Sequence, residues 1–303
     1  MKTVLLTGAT TGVGLATAKR LLERHEFRLI LSARESSLPR FQQAGITESS
    51  RVRIRALDVT RSRQRRAIID EATIDWGGVD VLINNAGVAY RAVVEHVTER
   101  EGLAQMNVNF RSPMELIRLC LPSMRAKGEG RIITISSVGG MMAMPTMAIY
   151  SASKFALEGA HESLWYEAKP WGISVSLVQP GFIHSDGFQK VRYTAESDRA
   201  ENEINAAYHR HYKNMAPFIS RLMKYTVATP DSVARVVVRT TVKKRPALRI
   251  PATWDARFFS ALRRILPRTA YHNLLYYSLP RVRNWGEPTL PPPPLDQSRD
   301  RRS

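Results

Sequence analysis

The chain has 303 residues, 44% of them hydrophobic and 24% charged, a balance that suits one large globular α/β domain with a tail. Its single cysteine, Cys120, excludes an internal disulfide framework and fits a reducing, cytoplasmic compartment, and no stretch reaches bilayer-spanning length. The formal charge of +18 would suit nucleic acid, an anionic membrane or an acidic protein, but the arginines are scattered, with no aromatic-interleaved stripe or nucleic-acid motif, so nucleic acid is not an expected partner.

The first apolar run, MKTVLL, stops at Thr7-Gly8, too short for a signal-peptide core, and reads as a first strand. It leads into Thr7-Gly8-Ala9-Thr10-Thr11-Gly12-Val13-Gly14, after which Leu15, Ala18, Leu21 and Leu22 recur at helical spacing. Strand, glycine turn and helix form the context of a phosphate-cradling loop. Gly8 allows the tight turn, Gly12 lets backbone N–H groups approach a pyrophosphate, Gly14 lets helix and strand pack closely, and the helix N-terminus favours the anion. The next strand, residues 28–31, ends at Ser32-Ala33-Arg34. An acid here would hold the ribose 2′-hydroxyl of NAD, whereas an arginine suits the 2′-phosphate of NADP. Ala33 stands at the acid position; Arg34 either reads that phosphate or is a solvated loop residue. Thr11 is neutral, so a second phosphate contact is missing there.

Residues 52–57 read as a third strand ending at Asp58, which either accepts a hydrogen bond from the adenine amino group or begins the following turn. The arginine-rich run 61–66 reads as the solvated face of the next helix. Residues 79–83 form a fourth strand, ending at Asn84-Asn85-Ala86-Gly87, where small residues leave room for a nucleotide and an Asn side chain can tie strand ends together.

Thr98-x-x-Glu101 is a capping box that starts a long helix. Within it Pro113, lacking an N–H, deprives the Asn109 carbonyl of its helical partner, at a kink that either holds a water or serves packing alone. An apolar run, RIITISS, ends at Ser137. Further on, Tyr150-Ser151-Ala152-Ser153-Lys154 places a phenol and an ammonium one helical turn apart on one face. The ammonium is expected to lower the tyrosine pKa, so that the pair can pass a proton to or from an alcohol or carbonyl oxygen, with Ser137 hydrogen-bonding the same oxygen. Met141, Met142, Met144 and Met147 lie between, as an adaptable lining for a hydrophobic substrate or as core. The face of Ala152, Ala156, Gly159, Ala160 and Ser163 is small enough for close approach of a second helix. No metal site is expected.

Taken in order, TGxxxGxG at 7–14, NNAG at 84–87, Asn109, Ser137, Tyr150-x-x-x-Lys154 and Pro180-Gly181 resemble the short-chain dehydrogenase/reductase family over roughly residues 1–250. The stretch SVGGMMAMPTMAIYSASKFALEGAHESL resembles the branch containing 17β-hydroxysteroid and retinol dehydrogenases. The resemblance implies a single doubly wound, Rossmann-type α/β domain with a mostly parallel sheet. It implies Tyr150 as general acid/base, Lys154 as its pKa partner and nicotinamide-ribose anchor, Ser137 as substrate-oxygen binder and Asn109 as holder of a relay water. Contacts with NADP are implied at Thr7, Gly8, Gly12, Val13, Gly14, Arg34, Asp58, Asn85, Ala86, Gly87, Tyr150, Lys154, Pro180, Gly181 and Ile183. Ser137, Met144, Met147 and Tyr150 are the expected substrate contacts. Ser185 stands where the family usually has threonine. Members pair through the helix that carries the tyrosine, which implies a homodimer or homotetramer.

The oxidoreductase domain is expected to span 1–251, with a helical, substrate-covering segment at 182–228, whose large apolar residues (Phe218, Ile219, Leu222, Met223) come near its end. Thr229-Pro230-Asp231 begins another helix, and residues 247–250 read as the last strand. In the extension, 252–290, Phe258, Leu262, Ile265 and Leu266 recur at helical spacing among Arg257, Arg263, Arg264 and Arg268. Such a helix suits a membrane surface, a cover over the substrate mouth or a dimer seal. Residues 291–303, including Pro291 and Pro294, read as a disordered tail. The expected function is NADP(H)-dependent interconversion of a carbonyl and an alcohol on a lipophilic steroid-, retinoid- or lipid-like molecule. A β-ketoacyl-thioester reductase for carrier-bound substrates and a non-catalytic NADP(H)-sensing regulator are the alternatives.

Overall fold

The computed structural model describes residues 1–184 and 191–286; Ser185 and the tail at 291–303 lie outside the described residues. Its strands are β1 (Lys2–Thr7), β2 (Phe27–Ala33), β3 (Val52–Ala56), β4 (Val81–Asn84), β5 (Tyr90–Arg91), β6 (Gly130–Ile135), β7 (Ile173–Gln179), β8 (Arg192–Tyr193) and β9 (Arg249–Pro251). Seven of them form one parallel sheet in the order β3-β2-β1-β4-β6-β7-β9, while β5 pairs with β8. The chain runs outward from β1 to β3, then crosses back to β4. That reversal opens a crevice beyond the carboxyl ends of β1 and β4.

The helices are α1 (Gly12–Leu22), α2 (Pro39–Gln43), α3 (Ser62–Trp76), α4 (Glu99–Met106), α5 (Ser112–Lys127), α6 (Ala148–Ala168), α7 (Ala195–Asn202), α8 (His209–Tyr225), α9 (Pro230–Val242), α10 (Trp254–Ile265) and α11 (Arg268–Ser278). A sheet covered on both faces needs strands apolar on both sides. Leu5, Ile30, Leu82 and Ile132 accordingly meet Ile68 and Ile69 of α3, Leu116 of α5 and Leu164 of α6. Val4, Leu6, Leu29 and Ile83 point the other way, onto Ala18 and Leu21 of α1 and Val233 and Val237 of α9. Each fully buried Leu, Ile or Val among these contributes about 1.5–3 kcal/mol.

Several local expectations change once the chain is folded. The Thr98–Glu101 capping box is present, but the helix expected to kink at Pro113 passes instead through a π-helical turn, Asn107–Arg111, between α4 and α5. Pro113 follows directly in the first turn of α5, so its missing N–H falls where the helix already departs from the i,i+4 pattern. Arg65, read as part of a solvated face, is buried with Ile68, Ile69 and Ala72 on the inward stripe of α3, its Nη1 donating to the Val59 carbonyl at 2.6 Å. The extension is two helices broken at Leu266-Pro267, and its apolar residues are split. Leu262 and Leu266 pack inward, whereas Trp254 (76% exposed), Phe258 (47%) and Ile265 (76%) face outward.

Candidate active site

The crevice is a cleft of 1420 Å³. Drug-sized ligands occupy about 300–1,000 Å³, so this one has room for a dinucleotide and a second molecule. Its floor is set by two side chains that replace the strand ladder after β1 and β4 end. Thr7 Oγ1 accepts the N–H groups of Asn85 (3.0 Å) and Ala86 (3.1 Å), and Asn85 Nδ2 donates to the carbonyls of Thr7 and Gly8, both at 3.0 Å. Thr7 is buried by this work and stands behind the cleft wall, where it holds the loop that lines it. Gly14 also stands behind the wall. A Cβ there would lie 2.1 Å from the Gly8 carbonyl oxygen, so only glycine lets α1 approach β1 this closely. Gly8, Gly12, Val13, Asn85, Ala86 and Gly87 do line the cleft, and the space beside Gly12 is open.

Arg34 and Asp58 line the cleft beyond the glycine loop. Asp58 Oδ1 accepts from the N–H (2.9 Å) and hydroxyl (2.7 Å) of Thr60, so it does begin a turn. Burial pushes its carboxyl up, but the Thr60 hydrogen bonds, Arg61 and Arg34 outweigh this and leave it below the usual value. Lys19 and Arg40, unmarked in the sequence reading, line the same cleft. Lys19 follows Leu15 by one turn of α1, a periodicity that could have found it. Arg40 lies in the five-residue α2, too short to announce a face.

At the other end, α6 brings Tyr150 and Lys154 to the cleft, and the chain after β6 brings Ser137. Ser137 Oγ accepts the Gly139 N–H at 3.0 Å and lines the cleft together with the Tyr150 phenol. Lys154 Nζ donates to the Ile135 carbonyl at 2.8 Å and lies 5.8 Å from the Tyr150 ring centroid. Burial pushes the Tyr150 phenol above its ordinary value, with the nearby Ser137 hydroxyl opposing. Burial also depresses Lys154, to about 8, against the charge of Glu158. The expected lowering of Tyr150 by Lys154 is therefore absent from this geometry. The ammonium is turned to a carbonyl, and desolvation outweighs its attraction for a phenolate.

Two buried residues position this end. Glu158, one turn beyond Lys154, accepts from Ser136 Oγ (2.6 Å), Gln179 Nε2 (2.9 Å) and Arg249 Nε (2.8 Å), joining the ends of β6, β7 and β9. In the sequence only its spacing from Lys154 hinted at it. Asn109, in the π turn, does not line the cleft. Its Oδ1 accepts the Val88 N–H at 2.9 Å, and its Nδ2 donates to the Val88 carbonyl (2.8 Å) and Ser153 Oγ (3.0 Å). Ser153 Oγ in turn donates to the Tyr150 carbonyl at 2.7 Å. Pro180, Gly181 and Ile183 line the cleft after β7, as do Met144, Met147, Phe182 and Met223. Met141 and Met142 do not; they pack with Val138 and Tyr271 beneath α11, so for these two the core reading holds.

A glycine loop at the switch point of a parallel sheet, with serine, tyrosine and lysine gathered at the far end, defines an oxidoreductase site built on a dinucleotide-binding fold. The chain belongs to the short-chain dehydrogenase/reductase family: the family profile described as short chain dehydrogenase matches residues 2–196. It is 39% identical over 193 residues to 3-ketodihydrosphingosine reductase of Bacteroides thetaiotaomicron, covering 64% of this chain and 68% of that one. It is 31% identical over 270 residues to human 17-beta-hydroxysteroid dehydrogenase type 1 (86% and 79% covered) and 28% over 296 residues to retinol dehydrogenase 8 of Bos taurus (94% and 93%). These two represent the branch that the methionine-rich stretch resembles. The solved structure of a short-chain dehydrogenase from Streptomyces avermitilis superposes with a TM-score of 0.74, at 28% identity, over 90% of this chain and 97% of that one.

The Asn109 network generates a stability prediction. Asn109→Ala removes the acceptor of the Val88 N–H and one of the two donors to its carbonyl, the other being Gln105 Nε2 at 3.2 Å, and should cost about 1–3 kcal/mol in denaturant unfolding. Loss of less than about 0.5 kcal/mol would mean that water replaces the side chain without penalty.

Proposed function

We propose that the chain is an NADP(H)-dependent oxidoreductase that interconverts a carbonyl and an alcohol on a lipophilic substrate. The observation that carries this reading is the two-ended cleft. Lys19, Arg34 and Arg40 give its end beyond the glycine loop a cationic character suited to a 2′-phosphate, and Met144, Met147, Phe182 and Met223 make the end at Ser137 and Tyr150 apolar. The relative named 3-ketodihydrosphingosine reductase directs attention to 3-keto lipids among such substrates, and carrier-bound β-ketoacyl thioesters remain the second class to compare.

Bound NADPH supplies the hydride for the carbonyl carbon. Ser137 holds the substrate oxygen, and Tyr150 gives it a proton. The raised pKa of Tyr150 keeps the phenol protonated near neutrality, the state that reduction requires. Lys154, lowered by burial to about 8, would hold the ribose of the cofactor on turning from the Ile135 carbonyl, and the proton relay from Tyr150 would then run through Lys154 toward a water on the Asn109 carbonyl. Around α6, Ala152, Gly159 and Ser163 are exposed and the space beside Gly159 is open, which supports pairing of two copies along this helix.

No described helix is long and apolar enough to cross a membrane. The outward row of Trp254, Phe258 and Ile265 on α10, with exposed Arg257, Arg264 and Arg268, supports peripheral contact with an anionic lipid surface.

Three measurements test the reading. NADPH oxidation should be seen with one or more of a panel of steroids, retinoids, 3-keto lipids, ketoacyl thioesters and small ketones, and Tyr150→Phe should bind NADPH nearly normally while losing about 10²–10⁴-fold in turnover; normal turnover in that variant removes Tyr150 from the chemistry. Arg34→Ala should reduce the preference for NADPH over NADH, as a ratio of kcat/KM, by about 10–100-fold. An unchanged ratio assigns the phosphate to other residues. The double variant Trp254→Ser/Ile265→Ser should bind anionic vesicles more weakly than the wild type in sedimentation, with added salt weakening both. Equal sedimentation would discard the membrane contact.

A further inference from the structure

The chain after β7 is held peptide by peptide. The Gln179 carbonyl accepts from Ala252 N–H at 2.9 Å and the Pro180 carbonyl from Val138 N–H at 2.7 Å. Gly181 N–H donates to Thr253 Oγ1 at 2.8 Å, and Phe182 N–H donates to Asp255 Oδ2 at 2.7 Å. The Phe182 carbonyl accepts from Thr226 Oγ1 at 3.2 Å, and His184 N–H donates to the Ala228 carbonyl at 2.7 Å. Among the described residues, the N–H groups of Gly181, Phe182 and His184 thus have protein acceptors, whereas that of Ile183, a residue lining the cleft, has none.

Two of these acceptors belong to the extension beyond the last strand. Thr253 is buried and caps α10, accepting from Ala256 N–H at 3.4 Å as well as from Gly181. Asp255 lies in the first turn of α10, where an acid ordinarily serves only the helix dipole. Here its carboxylate is pressed against the loop: a Cβ on Gly181 would lie 1.9 Å from Asp255 Oδ2, so only glycine at 181 lets the acid at 255 sit where it does.

We propose that Thr253 and Asp255 are positioning residues that clamp the Gly181–Phe182 backbone so that the Ile183 N–H is left pointing at the cleft as the donor for the carboxamide of the nicotinamide. This rests on the cofactor reading above. A backbone N–H fixed before binding saves the entropy of ordering the loop, so the clamp affects the nicotinamide half of the dinucleotide and leaves the adenosine half alone. The extension is then part of the cofactor site, and its charge-bearing acceptor makes the stronger of the two bonds.

The test separates the halves of the ligand. NADPH and 2′,5′-ADP, which lacks the nicotinamide, are titrated calorimetrically into wild type, Asp255→Asn, Asp255→Ala and Thr253→Val. Asp255→Ala should bind NADPH about tenfold more weakly and 2′,5′-ADP as the wild type does, while Asp255→Asn, which keeps an oxygen acceptor, should recover most of the loss. In the ligand-free protein, amide exchange at Gly181 and Phe182 should accelerate in Asp255→Ala and stay near wild type in Asp255→Asn. Equal weakening of both ligands, or unchanged NADPH binding, overturns the proposal, because either outcome makes Asp255 a general stabiliser of α10. If the wild type binds neither ligand, the cofactor reading has failed, and the exchange rates still decide whether the clamp exists. Should Asp255→Ala not fold, Thr253→Val carries the same comparison through the Gly181 bond.

Discussion

The parallel pairing of β1 with β4 is the constraint on which the rest of the cleft depends. Both strands end at the same edge, and the chain leaves them toward opposite sides of the sheet, so backbone groups beyond the ladder need other partners. Thr7 Oγ1 and Asn85 Nδ2 supply them, closing the gap with four hydrogen bonds of 3.0–3.1 Å. With those ends locked together, the loop from Gly8 to Gly14 has no freedom to move away from β4. A side chain at Gly14 would overlap both the Gly8 carbonyl and the Asn85 amide, at 2.1 and 2.5 Å. The anion-binding geometry at the start of α1 follows from this packing and needs no charged side chain of its own.

Desolvation governs the protonation of the opposite end. It raises the Tyr150 phenol and lowers Lys154 to about 8, and on the same helix it holds His161 down to about 4. His161 is therefore a neutral core residue, with Nδ1 at 2.9 Å from the Leu157 carbonyl and Nε2 at 2.7 Å from Thr134 Oγ1. Cys120, pushed up to about 12, is equally inert. Glu158 is tolerated in the same interior because Ser136, Gln179 and Arg249 satisfy its carboxylate. Its charge opposes the burial of Lys154, which keeps a usable cation one turn from Tyr150.

The C-terminal extension touches both loops that flank the chemistry. Thr253 and Asp255 hold the chain after β7, and Arg263 donates to the Met141 carbonyl in the chain after Ser137. Phe259 and Met144 pack against both the cluster that holds α8 and the one that holds Met141 and Met142. Arg263, one of the charges of the extension, is thus a structural contact, stacked also over Phe155 at 5.2 Å. The extension is continuous with the site in both packing and hydrogen bonding.

By itself the sequence determined the parallel α/β fold, the glycine loop and the pairing of Tyr150 with Lys154, because these rest on short-range pattern: continuous apolar runs within strands, glycine spacing within one turn, and i,i+4 neighbours on one helix. Only the tertiary structure decided what each side chain faces. Thr7 turned inward to Asn85, 78 residues away; Asn109 reached Ser153, 44 residues away; and Asp255 met the Phe182 N–H across 73 residues. The direction of the Tyr150 and Lys154 shifts belongs to the same class. One turn of helix places two groups side by side, but the dielectric around them comes from every element packed against that turn, and no local pattern encodes it.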